Sequence, residues 1–216
     1  QLAWVHADDG FDRAQQNTET QYFHCLETCS IEVPEGQLKL QVQYGMAHQL
    51  WTKSIMVRSN QRKIVEVMLK ANALPEKYGS WRSADLHVHM NYGGHYRNTP
   101  ENLLQQAKAE DLNVVHNLIV NKEERVPDIA YFQAMADKAS DSNTVIWHGQ
   151  EFHTSFWGHL GLLNLDSHFL TPYFASYRHT ALASPYPHNG VIADLAHQQL
   201  ALVGYVHPFD WPIVPK

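Results

Sequence analysis

The chain has 216 residues, 44% hydrophobic and 18% charged, with 16 Lys and Arg against 22 Asp and Glu for a net charge of -6. Such a composition is globular and sufficient for one large domain or two small ones. Net negative charge without a basic cluster argues against nucleic acid as a main partner, and no apolar run approaches the roughly 18 residues of a membrane span.

The chain starts at Gln1 with no charged, apolar leader, which reads as a processed chain or a fragment. Residues up to about Asp9 give no clear element, and Asp12 to Gln21 is polar loop. Cys25 and Cys29 lie four apart and can bridge only in a tight loop. Two free thiols are therefore expected, and the compartment stays open between periplasmic or secreted and cytoplasmic.

From Ser30 the pattern is β. Ile31-Glu-Val33 precedes a Pro34-Glu-Gly36 turn, and Leu38, Leu40, Val42 and Tyr44 then alternate with polar residues. Trp51 to Val57 and Lys63 to Leu69 continue this around an Asn60-Gln61 turn. The prediction is a small antiparallel β-sandwich over residues 1–78 with one wet face, which carries no chemistry of its own. Ala73 to Trp81, with Pro75 and Gly79, marks the boundary to a second domain, 79–216.

Beyond it strands and helices alternate. Thr99 is the predicted N-cap and Pro100 the first position of a helix through Glu110. Leu112 to Val120 reads as a buried strand, Ile129 to Ala139 as helix, and Val145 to Trp147 and Leu160 to Leu165 as strands. Asn189 caps a helix to about Gln199, and Ala201 to Val206 is a strand. Repeated βα units predict a parallel sheet, open or closed into a barrel.

Of 15 histidines, all but His6, His24 and His48 lie at or after His87. That enrichment suggests a polar, metal-capable interior. In the strand Asp85-Leu-His87-Val-His89, alternation places both imidazoles on one side, where they can converge on a metal; Asp85 shares that face and could ligate or orient a ring. Glu151, in His148-Gly-Gln-Glu151-Phe-His153, follows a strand, and carboxyl ends of parallel strands carry sites. His207 ends the apolar strand before Pro208, with Asp210 three residues on. His95 sits in a Gly93-Gly94 loop near enough to join. His159 starts a strand and is weak taken alone. His116 reads as a core or inward-facing polar residue and His197 as packed on the sheet or exposed. His168, His179 and His188 need no role.

Taken in order, Asp85-Leu-His-Val-His89, Gly149-Gln-Glu151 with Gly158-His159, and Tyr205-Val-His207-Pro208 resemble successive motifs of the PHP (polymerase and histidinol phosphatase) superfamily of metallohydrolases. Met90-Asn-Tyr-Gly-Gly94, Asn121-Lys-Glu123 and Glu151-Phe-His-Thr-Ser-Phe-Trp-Gly-His159 resemble more narrowly its CehA/McbA-like branch, whose namesakes are carbamate hydrolases. A β-sandwich ahead of the metal domain is also similar to that branch. The resemblance spans roughly Gly79 to Asp210. It implies metal-ligand positions at His87, His89, Glu151, His159 and His207, with His95 as a further one.

Three departures accompany it. Where the superfamily carries Asp-His after its second strand, this chain reads Leu118-Ile-Val-Asn121-Lys122-Glu123, so Asn121 or Glu123 substitutes or one metal site is lost. Ala196-His-Gln-Gln-Leu200 has Leu where the branch tends to Gly. The chain also stops before the superfamily's last strands and their Asp-containing motif, well short of the roughly 200–250 residues such a barrel needs. The implied fold is α/β: a parallel-stranded PHP-type distorted (β/α) barrel, incomplete here, behind a small antiparallel β-sandwich. The strand before His207 should then lie at an open edge, or be covered by a partner chain or a missing C-terminal segment.

The function expected is a metal-dependent hydrolase of a small-molecule substrate. It would hold two or three divalent ions in the complete protein (zinc, manganese or iron) and use metal-bound hydroxide on an ester, amide or carbamate carbonyl. His153 or Asp210 is the candidate for proton transfer. A PHP-type phosphoesterase is the alternative, with Arg97 and Lys122 able to supply a phosphate pocket. A non-catalytic metal-binding or structural protein is the second.

Overall fold

The computed structural model describes residues 22–91, 98–120, 126–153, 157–168 and 186–207. They belong to two compact units, Gln1–Ala84 with His95–Asn113 and Asp85–Gly94 with Val114–Lys216. The division is discontinuous in sequence. No helix among the described residues is long and apolar enough to cross a membrane.

In the first unit, β1 (Gly36–Val42) and β2 (Trp51–Val57) form an antiparallel two-stranded sheet, with Leu38 opposite Ile55 and Val42 opposite Trp51. Leu38, Leu40 and Val42 are half-buried on one face, while Gln37, Lys39 and Gln41 are exposed on the other. Helix α1 (Pro100–Ala109) begins as its sequence dictates: Thr99 Oγ1 accepts from the Asn102 N–H at 3.2 Å, and Pro100 occupies the first turn, where its missing donor costs nothing. It buries Leu103, Leu104 and Ala107. Asp111, at φ 56°, makes the left-handed step that lets the Leu112 N–H donate back to the Ala107 carbonyl at 2.9 Å.

The second unit is a curled mixed sheet, half of a barrel, in the order β3 (Ala84–Val88), β4 (Val114–Val120), β5 (Val145–Phe152), β6 (Leu160–Leu163), β7 (Leu202–Tyr205). β4 and β5 are parallel, with Val120 opposite Glu151. β6 runs antiparallel to both β5 and β7. Phe152, Leu160 and Leu162 share one face. There they form a core with Leu165, Ala201 and the residues Ile192 and Ala196 of helix α3 (Asn189–Gln198), one turn apart. Each large apolar side chain buried there contributes about 1.5–3 kcal/mol. Glu151 and Gly161, opposite one another in the register, lie on the other face.

Several expectations give way. The sheet is mixed, not parallel, because the short link from β5 to β6 returns the chain beside itself without a crossover helix. The N-terminal sandwich is a two-stranded sheet among the described residues. Ile31 to Val33 takes no strand, and Lys63 to Leu69 takes none either, with Ile64 and Met68 exposed; one isolated bridge, His48 to Ala71, follows it. The helix expected over Ile129 to Ala139 does not form: the one-turn α2 (Val126–Ile129) ends where it should begin, and the Asp137 N–H donates to the Ile146 carbonyl instead. His188, not Asn189, occupies the N-cap of α3. Cys25 and Cys29 are bridged: Glu27, at φ 53°, turns the chain and brings their Cα atoms to 5.7 Å. The strand before His207, by contrast, lies where expected: β7 is an edge of the described sheet, with Leu202 and Tyr205 exposed.

Gly149 of β5 has no room for a side chain, since a Cβ there would lie 2.5 Å from the Leu162 carbonyl oxygen and 3.0 Å from Leu118 Cδ2. Gly149→Ala should therefore force β5 and β6 apart and cost about 1–3 kcal/mol. The measurement is the urea midpoint; an unchanged midpoint would contradict this packing.

Candidate metal centre

The site is built around one carboxylate. Glu151, next to last in β5, is 1% exposed and would be costly to bury as an anion without compensation. Five imidazoles supply it. His87 Nε2, His89 Nε2 and His153 Nε2 lie 3.1, 2.7 and 3.0 Å from Oε2, and His159 Nδ1 and His207 Nε2 lie 2.9 and 3.0 Å from Oε1. Burial alone would push the Glu151 carboxyl up. The hydrogen bonds from His153, His159 and His89 together outweigh it and hold the group well below the usual carboxylate range.

Local structure delivers each ring. His87 and His89 project from the same side of β3 by alternation. Glu151 and His153 do the same at the end of β5. His159 immediately precedes β6, and antiparallel pairing sets that start beside the end of β5, Phe152 opposite Leu160. His207 lies just beyond the end of β7, and the Val206 N–H donates to the His159 carbonyl at 3.4 Å. Asn189 Nδ2 donates to the carbonyls of Trp157 and Gly158 at 2.9 and 3.3 Å, tying α3 to the turn that leads into His159. The rings of His153 and His159 stack, their centroids 3.8 Å apart and 9° from parallel.

The donor chemistry decides what this cluster wants. A carboxylate offers about four lone-pair positions, yet five ring nitrogens approach it. His87 Nε2 and His89 Nε2 are also 3.1 Å from each other. His89 Nδ1 donates to the Leu118 carbonyl at 2.7 Å, so its Nε2 turns a lone pair toward the centre unless the ring is protonated. Lone pairs converging on an anion require cations, either protons on the rings or a metal ion among them. Two groups have their ligand atoms within 4.8 Å of one another, His87 with Glu151 and His207, and Glu151 with His153 and His159; each could hold a metal ion. Glu151 is common to both.

Of the residues singled out in the sequence, the fold gathers His87, His89, Glu151, His159 and His207, and adds His153 to the cluster itself. His153 stands two residues past Glu151, and the alternation that pairs His87 with His89 points to it equally. Asp85 faces elsewhere in its bonding: its Oδ1 accepts from the His87 backbone N–H at 3.0 Å. His95, Asp210, Asn121, Lys122, Glu123, Arg97 and His179 lie outside the described residues. His197 is exposed on α3. No family model, no curated protein and no solved structure matches this chain.

His116 is half-buried in β4, its ring stacked on Trp147 with centroids 6.4 Å apart, and its Nδ1 has no hydrogen-bond partner among the described residues. Burial pushes its pKa below the ordinary value of 6.5. A depressed histidine favours the fold above its unfolded pKa, and that contribution is lost as pH falls through the folded one. Between pH 7 and 5, His116→Phe should lose less stability than wild type, by up to about 1.4 kcal/mol per pH unit where the group titrates. Parallel pH curves for the two proteins, from urea unfolding, would refute this.

Proposed function

We propose that this chain is a metal-dependent hydrolase with a PHP-like centre, acting on an ester, amide or carbamate carbonyl of a small molecule. The observation that carries the reading is the convergence of five imidazole nitrogens on one buried carboxylate at 2.7–3.1 Å. The motif resemblance around His87, Glu151, His159 and His207 gives the class of chemistry. The ligand set is nitrogen and oxygen with no thiolate, since Cys25 and Cys29 are bonded to each other, and this suits zinc, manganese or iron. Glu151, shared by both ligand groups, suits a centre of two or more ions.

A divalent ion bound there supplies acidity to water and polarises a carbonyl oxygen. The remaining work belongs to the side chains. Glu151 meets His87, His89 and His153 through Oε2 and His159 and His207 through Oε1, so both ligand groups share both of its oxygens. His89 is held by Leu118 through Nδ1, so its Nε2 meets the centre in one orientation. His207 is the more open of the rings at 38% side-chain exposure, against 4% for His153. Substrate therefore approaches from the His207 side. His153, stacked on His159, is the residue of the cluster proposed to move a proton.

Protein incubated with zinc, manganese or ferrous iron should retain metal through gel filtration and hydrolyse a nitrophenyl ester faster than nitrophenyl phosphate. His89→Ala should weaken metal binding at least about 100-fold, and the exposed His197→Ala should leave it unchanged. Preference for the phosphate would move the assignment to a phosphoesterase. Retained metal without turnover on either substrate would leave a binding protein, and equal metal content in both variants would refute the ligand set.

A further inference from the structure

A chain of buried polar groups runs behind the site, on the opposite face of the sheet from Glu151. Asn117 and His148 are cross-strand partners on β4 and β5, and around them on that face lie the buried apolar Val115, Ile119 and Ile146 and the buried Gln150. Nothing about packing requires polar residues among them. Asn117 Oδ1 accepts from the Met90 N–H at 3.1 Å, its Nδ2 lies 3.2 Å from His148 Nδ1, and His148 Nε2 lies 2.9 Å from Asp137 Oδ2. Asp137 Oδ1 accepts from the Ala139 N–H at 2.8 Å.

The direction of every bond follows from one end. A backbone N–H can only donate, so Asn117 must turn its oxygen to Met90 and its amide nitrogen to His148. His148 Nδ1 must then accept, which puts the ring proton on Nε2, aimed at Asp137. The next backbone group is held as well, because the Asn91 N–H donates to Asp128 Oδ2 at 3.1 Å. Met90 directly follows His89, whose own ring is held by Leu118, the neighbour of Asn117 on β4.

We infer that Asp137, His148 and Asn117 form a positioning relay that fixes the end of β3, and through it the approach of His87 and His89 to the metal centre. This rests on the metal reading of the site. None of the three touches the cluster; they act through the backbone at Met90. Positioning groups of this kind affect metal affinity about 10–100-fold when removed.

The test titrates zinc into the full chain against a chromophoric chelator and records the visible spectrum of the cobalt-loaded protein. Asn117→Leu, checked for folding by near-ultraviolet circular dichroism, should bind zinc about 10–100-fold more weakly and show an altered cobalt band. Asn117→Asp, which keeps an oxygen for the Met90 N–H but has no donor for His148 Nδ1, should recover only in part, to within about tenfold of wild type. Folded Asn117→Leu with wild-type affinity and spectrum overturns the relay, even if its melting temperature falls. Should that variant fail to fold, Asp137→Asn is read in its place, and unchanged affinity and spectrum there overturn the relay equally. Wild type that takes up no metal overturns the metal reading itself, a result distinct from loss of the relay alone.

Discussion

The interaction on which this structure depends is the burial of the Glu151 carboxylate. An anion with 1% of its surface exposed is not tolerated in a protein interior without opposite charge or several donors. Among the described residues the compensation comes from imidazoles, drawn from β3, from the end of β5, from the turn before β6 and from the residues after β7. Lysine or arginine would neutralise the same charge permanently and leave nothing for a ligand to do. Imidazoles neutralise it only when protonated or when they share a cation, so the cluster is tied to a second species in a way an ordinary buried ion pair is not.

That cluster explains why the mixed sheet matters. In a purely parallel sheet the residue that starts a strand sits at the far end from the residue that finishes its neighbour. His159 starts β6 and Glu151 finishes β5, so parallel pairing would hold them apart by the length of a strand. Antiparallel pairing, with Phe152 opposite Leu160 and Leu160 opposite Tyr205, brings the end of β5, the start of β6 and the end of β7 to one rim. His159 looked weak on its own for that reason: its value depends on a strand direction that the local sequence does not encode.

Features governed by neighbours a few residues away were legible in the sequence. The Thr99-Pro100 start of α1, the alternation of β1 and the shared side of His87 and His89 follow from period and capping alone. Features requiring a distant partner were not. Lys63 to Leu69 alternates as a strand should, but alternation specifies a conformation and leaves the pairing open. Ile129 to Ala139 has helical composition, yet no helix forms there, and Asp137 is bonded to Ile146 and His148 of β5 instead. The cysteine bridge turned on the left-handed conformation of Glu27, which nothing in Cys-Leu-Glu-Thr-Cys announces. In the site, the shared side of His87 and His89 and the strand-end places of Glu151 and His207 were legible locally, whereas the approach of His159 depended on the antiparallel pairing of β5 with β6.

β5 shows how a single strand can serve both the packed core and the cluster. Gln150 and Phe152 point toward the side packed by α3, while Glu151 and His153 point toward the cluster. Apolar packing behind the sheet fixes the strands that the ligands in front require to be still. Among that packing the polar run from Asp137 to Asn117 is an exception to the chemistry of its surroundings, and it ends one residue from His89. A buried polar chain adds no stability that well-packed apolar residues could not match, but it can specify one arrangement where apolar contacts would allow several. At the boundary between a packed core and a charged site, a unique position for the strand end is what the imidazoles need.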